Sequence, residues 1–139
     1  MSNSTELKLL SLSGNKISHL ENFNSMPKLR ELYLANNRIK KIGDSFLQSP
    51  RLTVMNLAGN TLYQLQDIQN LSFLPSLQSV VFADPMYGEC PLVSLSAYRY
   101  FVINYLPTLN ELDHYRITSE ERSYVTEFFK YPHFVDFIP

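Results

Sequence analysis

Three asparagines, Asn15, Asn37 and Asn60, stand 22 and 23 residues apart inside one hydrophobic phrase. The copies read Leu7-x-x-Leu10-x-Leu12-x-x-Asn15-x-Ile17, then Leu29-x-x-Leu32-x-Leu34-x-x-Asn37-x-Ile39, then Leu52-x-x-Met55-x-Leu57-x-x-Asn60-x-Leu62. A period of this length gives one short strand and one return segment per turn of a solenoid, with the core built between neighbouring turns. Three copies in phase, without gaps, leave little room for another fold.

Leu10 and Leu12, Leu32 and Leu34, Met55 and Leu57 are two apart, so each pair shares the inward face of a strand and the residues between face out. The asparagine amide can both donate and accept where the strand turns away, so Asn15, Asn37 and Asn60 are expected to stack into a ladder. The return segments carry Leu20, Phe23 and Met26, then Ile42, Phe46 and Leu47, then Leu65, Ile68, Leu71 and Leu74, spacings that suit short helical or 3-10 turns. Pro27, Pro50 and Pro75 end those turns two residues before the next leading leucine. A fourth repeat begins at Leu77, with Val80 and Phe82 inward, and leaves the phrase at Asp84-Pro85. An amphipathic helix is predicted from Tyr98 to Leu106, with Ser96 as N-cap and Pro107 as stop. Leu109-x-x-Leu112 opens a terminal repeat, and Thr118 with Glu121 has capping-box spacing before a last helix. The expected organisation is one domain over residues 1–139, with repeats starting near 7, 29, 52 and 77, a cap over about 96–129 and an aromatic tail over 130–139.

The formal charge of −1, from 12 basic and 13 acidic residues, gives no general reason to bind nucleic acid or an anionic membrane, and Arg38-x-Lys40-Lys41 reads as a solvated edge. Cys90 is the only cysteine, so an internal disulfide is impossible. The leading residues Met1 to Glu6 lack the regions of a signal peptide, and no apolar run reaches the length of a membrane span. His19, His114 and His133 have no metal-ligand spacing, and Cys90 no histidine near in sequence. With no glycine-rich phosphate loop either, no enzyme, cofactor or metal is expected. The expected location is cytoplasmic, with cilium or cytoskeleton as possible settings and the nucleus left open.

After the repeats comes Tyr98-Arg99-x-x-Val102-Ile103-x-x-Leu106-Pro107-x-Leu109-x-x-Leu112-Asp113-x-x-x-Ile117-Thr118-x-x-Glu121-Arg122. Repeats and cap together, over roughly residues 7–122, resemble the intracellular leucine-rich-repeat class of 22-residue period with a C-terminal cap. That class includes a protein phosphatase 1 regulatory subunit, the spliceosomal A-prime protein and many ciliary proteins. The resemblance implies an α/β fold: a solenoid with a curved parallel sheet on its concave face, short helices and 3-10 turns on its convex face, and no catalytic activity. Members usually carry Asn-Pro where this chain has Asp84-Pro85, so Asp84 is expected to take the ladder asparagine's part. The first repeat starts with almost nothing before it, so the chain is expected to be the C-terminal end of a longer array.

Outward strand residues form three columns: Leu9, Glu31, Val54 and Ser79; Ser11, Tyr33, Asn56 and Val81; Ser13, Ala35, Ala58 and Ala83, with Asp113 and Tyr115 as extensions. Apolar groups facing solvent suggest a protein partner on the concave face, with Leu9, Arg30, Tyr33, Val54, Asn56 and Val81 as its candidate contacts. The leading expectation is a ciliary or cytoskeletal scaffold; the alternatives are a regulatory subunit of an enzyme such as protein phosphatase 1, or an RNA-processing assembly factor. No direct nucleic-acid or membrane binding is expected. The open side of the first repeat also suggests a homodimer.

Overall fold

A computed structural model describes residues 6–21, 23 and 26–130. Its strands are β1 (Leu9–Ser11), β2 (Glu31–Tyr33), β3 (Val54–Asn56) and β4 (Ser79–Val81), one per repeat, each three residues long. They pair in parallel and in register, Leu10 beside Leu32, Leu32 beside Met55, Met55 beside Val80. One step further, β7 (Glu111–Leu112) pairs parallel with β4, and β8 (Tyr115–Arg116) folds back antiparallel on β7, ending the sheet.

The alternation of the phrase sets the faces. Leu32, Met55, Val80 and Leu112 are fully buried, and so are Leu34, Leu57 and Phe82 at the strand exits. Their core continues into the return segments through Phe46, Ile68, Leu71 and Leu74. Phe23 meets Phe46 edge-on at 5.1 Å between ring centroids.

Return segments differ more than their spacing suggested. Among the described residues only the third forms an α-helix, α1 (Leu65–Leu71); the second runs through successive turns from Gly43 to Gln48. Ser49, fully buried, explains how the second closes without a helix: its hydroxyl donates to the carbonyls of Phe23 and Met26, both at 3.2 Å, tying it to the first.

The cap comprises α2 (Tyr98–Tyr105) and α3 (Ser119–Phe128), packed together. Ser96 is not the N-cap of α2. That place belongs to Ala97, in the left-handed region at φ 58°, without a side-chain cap bond. At α3, Thr118 accepts from the backbone of Glu121 at 3.1 Å, but the Glu121 carboxylate turns to Arg99 instead of closing the capping box. The aromatic tail, beyond Lys130, lies outside the described residues.

Candidate functional site

The ladder holds the binding sheet in register. Asn37 accepts from the Ile17 amide at 3.0 Å and donates to the carbonyls of Leu12 (3.1 Å) and Leu34 (2.9 Å), so one side chain joins two repeats. Asn60 repeats this one turn on, accepting from Ile39 and donating to Leu34 and Leu57. Asn15 is exposed and reaches only Leu12 of its own repeat.

In the fourth repeat the structure corrects the expectation for Asp84. Residues 83–89 are an insertion, seven residues where the other repeats have two, and they form a hairpin of β5 (Ala83–Asp84) and β6 (Gly88–Glu89). Asp84 serves that hairpin, accepting from the Tyr87 amide at 2.7 Å. The repeat phrase resumes afterwards as Cys90-x-Leu92, and Cys90 occupies the ladder. Its thiol donates to the Leu57 carbonyl at 3.1 Å and its amide to the Phe82 carbonyl at 2.9 Å. Burial pushes the thiol pKa up to about 11, so at neutral pH it is a hydrogen-bond donor rather than a nucleophile.

Asp113 ends the ladder. Its carboxylate accepts from the amides of Phe82 (2.7 Å) and Ala83 (3.1 Å) at the exit of β4, and from the Tyr98 hydroxyl at 2.8 Å. Burial and the Asp113 charge together push the Tyr98 phenol well above its ordinary value. Arg99 grips Glu121 through two nitrogens at 2.7 and 2.8 Å, which holds the Glu121 carboxyl below the usual range. Arg122 donates to the carbonyls of Ile103 (2.8 Å), Leu106 (3.3 Å) and Leu109 (2.6 Å), at the C-terminal end of α2 and just beyond it.

On the concave face Leu9 is half exposed, and Glu31, Tyr33, Val54, Asn56 and Ser79 are partly exposed. Across the strands Leu9 lies beside Glu31 and Glu31 beside Val54; Ser11, Tyr33 and Asn56 form the next row. Tyr33 donates to Glu31 at 2.6 Å, which fixes its ring along the sheet and raises its pKa. At the cap end an open groove of about 760 Å³ is lined by Ala83, Asp84, Pro85, Tyr98, Asp113 and Tyr115, among others. Tyr115 is 71% exposed, and Met86, next to Pro85 in the chain, is 80% exposed.

A sequence profile of the leucine-rich repeat matches residues 4–135. The chain belongs to the leucine-rich repeat family. It is 35% identical over 121 residues to the U2 small nuclear ribonucleoprotein A' of Emericella nidulans, covering 86% of this chain and 50% of that protein. It is 32% identical over 117 residues to the acidic leucine-rich nuclear phosphoprotein 32 family member A of Drosophila melanogaster, covering 84% and 43%. Among solved structures, the Drosophila melanogaster SNF/U2A' complex matches with a TM-score of 0.85 at 28% identity, over 95% of this chain and 74% of that one. The chain spans about half the length of the curated relatives it matches.

Within this leucine-rich-repeat sheet the candidate contacts fall into two groups. Leu9, Tyr33, Val54 and Asn56 lie together on the concave face, and Arg30 is exposed just ahead of β2. Val81 does not belong with them. It is 4% exposed, because the next strand's register sets the Asp113 turn beside it. Ala35 and Ala58 in the third column are fully buried, and a side chain added at Gly59 would strike the Tyr87 carbonyl, so the inserted hairpin lies directly over this edge of the sheet. Sequence reasoning missed Cys90 and the hairpin residues Pro85 and Met86. The signal that could have found Cys90 was the two-residue spacing to Leu92, displaced by five positions.

Proposed function

We propose that the chain holds a protein partner against its concave face, as a non-catalytic adaptor in a nuclear RNA–protein assembly. The observation that carries the reading is the run of accessible side chains, Leu9, Tyr33, Val54 and Asn56, on a sheet that the ladder holds rigid. Such a surface offers aromatic and aliphatic anchors at little ordering cost. The U2 A' relatives support the RNA-processing alternative over the ciliary or cytoskeletal scaffold, since their name places them in a small nuclear ribonucleoprotein, and one was solved together with SNF. They also favour the nucleus over the cytoplasm. Neither the face nor the relatives lend weight to phosphatase regulation.

The test is titration of the chain with Drosophila melanogaster SNF, followed by calorimetry. A one-to-one complex is expected, weakened at least tenfold by Tyr33→Ala or Val54→Asp with the circular dichroism unchanged. Charge reversal at Lys40 and Lys41 should leave it intact. No complex at micromolar concentrations, or equal loss from both sets of variants, refutes the reading. The partly exposed Leu10 and Leu12 at the free edge of β1 also support self-association through the first repeat. Light scattering of wild type and Leu10→Lys checks this.

A further inference from the structure

The charges of this nearly neutral chain are segregated along the solenoid. Residues 6–51 carry eight Lys and Arg against four Asp and Glu, whereas residues 52–139 carry four against nine. In the basic half most of the excess collects where the strands exit. The Arg38 amide bonds the Ile17 carbonyl and the Thr61 amide bonds the Ile39 carbonyl, so the segments after the ladder asparagines lie rung on rung. That register sets Lys16 beside Arg38, Lys40 beside Tyr63, and His19 beside Lys41. All six side chains are exposed, and Tyr63 is 55% so. Among the described residues no salt bridge engages Lys16, Arg38, Lys40 or Lys41.

The acids of this half are elsewhere. Glu6 is paired with Lys28, and Glu31 is bonded to Tyr33 on the concave face. Glu21 and Asp44 come two and three positions beyond His19 and Lys41, on the groove with Leu20 and Phe23. Lys41 does act on Asp67, but that carboxyl is buried and bonded to the Ile42 amide. Four unneutralised cations on two rungs and Tyr63 on a third, with neighbouring rungs about 4.8 Å apart, make a strip roughly 10 Å wide.

We infer that this strip docks single-stranded RNA, with Lys16, Arg38, Lys40 and Lys41 on consecutive phosphates and the Tyr63 ring stacked on a base. Chemistry favours that occupant. Clustered cations without acidic partners draw a polyanion through counterion release, and an exposed aromatic among them gives a base somewhere to stack. The strip lies beyond the strand ends, off the concave face, so RNA and a protein partner can be held together. It stands whether or not the concave face binds as proposed.

Fluorescence anisotropy with a labelled twelve-residue oligouridylate tests this on the full chain. Binding should weaken with salt, with log K falling against log salt with a slope of about −3 for four phosphate contacts. Lys40→Glu with Lys41→Glu should lower affinity at least tenfold and flatten the slope, while Tyr63→Ala lowers affinity severalfold and leaves the slope unchanged. Tyr33→Ala, on the concave face, should change nothing, and the strip variants are exposed-site changes whose melting temperature must match wild type. No binding at low salt, equal binding by the charge-reversed variant, or binding to phosphatidylserine vesicles in preference to the oligouridylate overturns the inference.

Discussion

Replacing Asn60 by leucine removes four hydrogen bonds, the one to Ala58 long at 3.5 Å, at a site that is 2% exposed. The Ile39 amide, held at 3.0 Å, loses its side-chain partner from the next repeat, whereas the Leu34 carbonyl keeps Asn37 at 2.9 Å. The Leu57 carbonyl fares better, because the Cys90 thiol still reaches it at 3.1 Å. A buried backbone group left unpaired costs about 1–3 kcal/mol, and the Ile39 amide is the one stranded here, before the leucine methyls offset part of it. A net loss of about 2 kcal/mol should lower the melting temperature by roughly 6 °C in a chain of this size. Asn15→Leu is the internal control: same residue type, same place in the phrase, but exposed and bonded only within its own repeat. It should cost less than about 0.5 kcal/mol, as surface changes do. Paired urea and thermal melts of the two variants decide the matter. If they melt together, or if Asn60→Leu costs under about 1 kcal/mol, the ladder does not hold the repeats.

Asp67 adds a pH dependence: burial raises its carboxyl pKa, only one oxygen accepts from Ile42, at 2.7 Å, and the other is buried without a partner. Because the folded chain holds this proton to higher pH than the unfolded one, its contribution to stability is full below the usual carboxylate range and is lost as pH rises through the raised value. Urea midpoints of wild type and Asp67→Asn should therefore diverge in favour of the variant across that window, and a pH-independent difference would contradict this. Arg122→Ala should cost about 2–4 kcal/mol by stranding the Ile103 and Leu109 carbonyls, more than Arg99→Ala, whose ion pair with Glu121 is part-exposed; calorimetric melts rank the two. Cys90 should react with a thiol reagent only at the rate of unfolding, and Cys90→Val should lower stability by about 1 kcal/mol through loss of its bond to Leu57, which denaturant titration reads directly.

The strands and their register were legible because their pattern is strictly local: Leu32, Met55 and Val80 bury themselves by alternation alone, and a 22-residue period sets them side by side. The family was legible in the cap, where Tyr98, Arg99, Asp113, Glu121 and Arg122 answer one another across the fold. What escaped depended on partners far along the chain. Val81 and Ala58 have outward positions in the alternation, yet elements placed later cover them. Asp84 was given the ladder position because it follows Phe82 closely, whereas the inserted hairpin displaces that position to Cys90. Concave-face residues such as Tyr33 and Val54 could be placed, but what they bind is a property of the partner. The charge segregation was present in the order of residues and hidden by the net figure of −1.

Burial along the repeats is graded, and this gives the molecule a direction. Leu10, Leu12 and Ile17 are only half-buried, whereas the equivalent Leu32, Leu34 and Ile39, one turn on, are fully enclosed. In a stack where each turn is stabilised mainly by its neighbours, the turn with one weak neighbour opens first, and the next then becomes the weakest. At the opposite end Asp113 and Arg122 bind the closing strands to both helices, so among the described residues no comparable point of entry exists there. Amide exchange should therefore advance as a front, from Leu12 toward Leu34 and then Leu57. Drawn from its first residue, the chain would peel turn by turn under low force; drawn from the capped end, it would resist until it gave way at once.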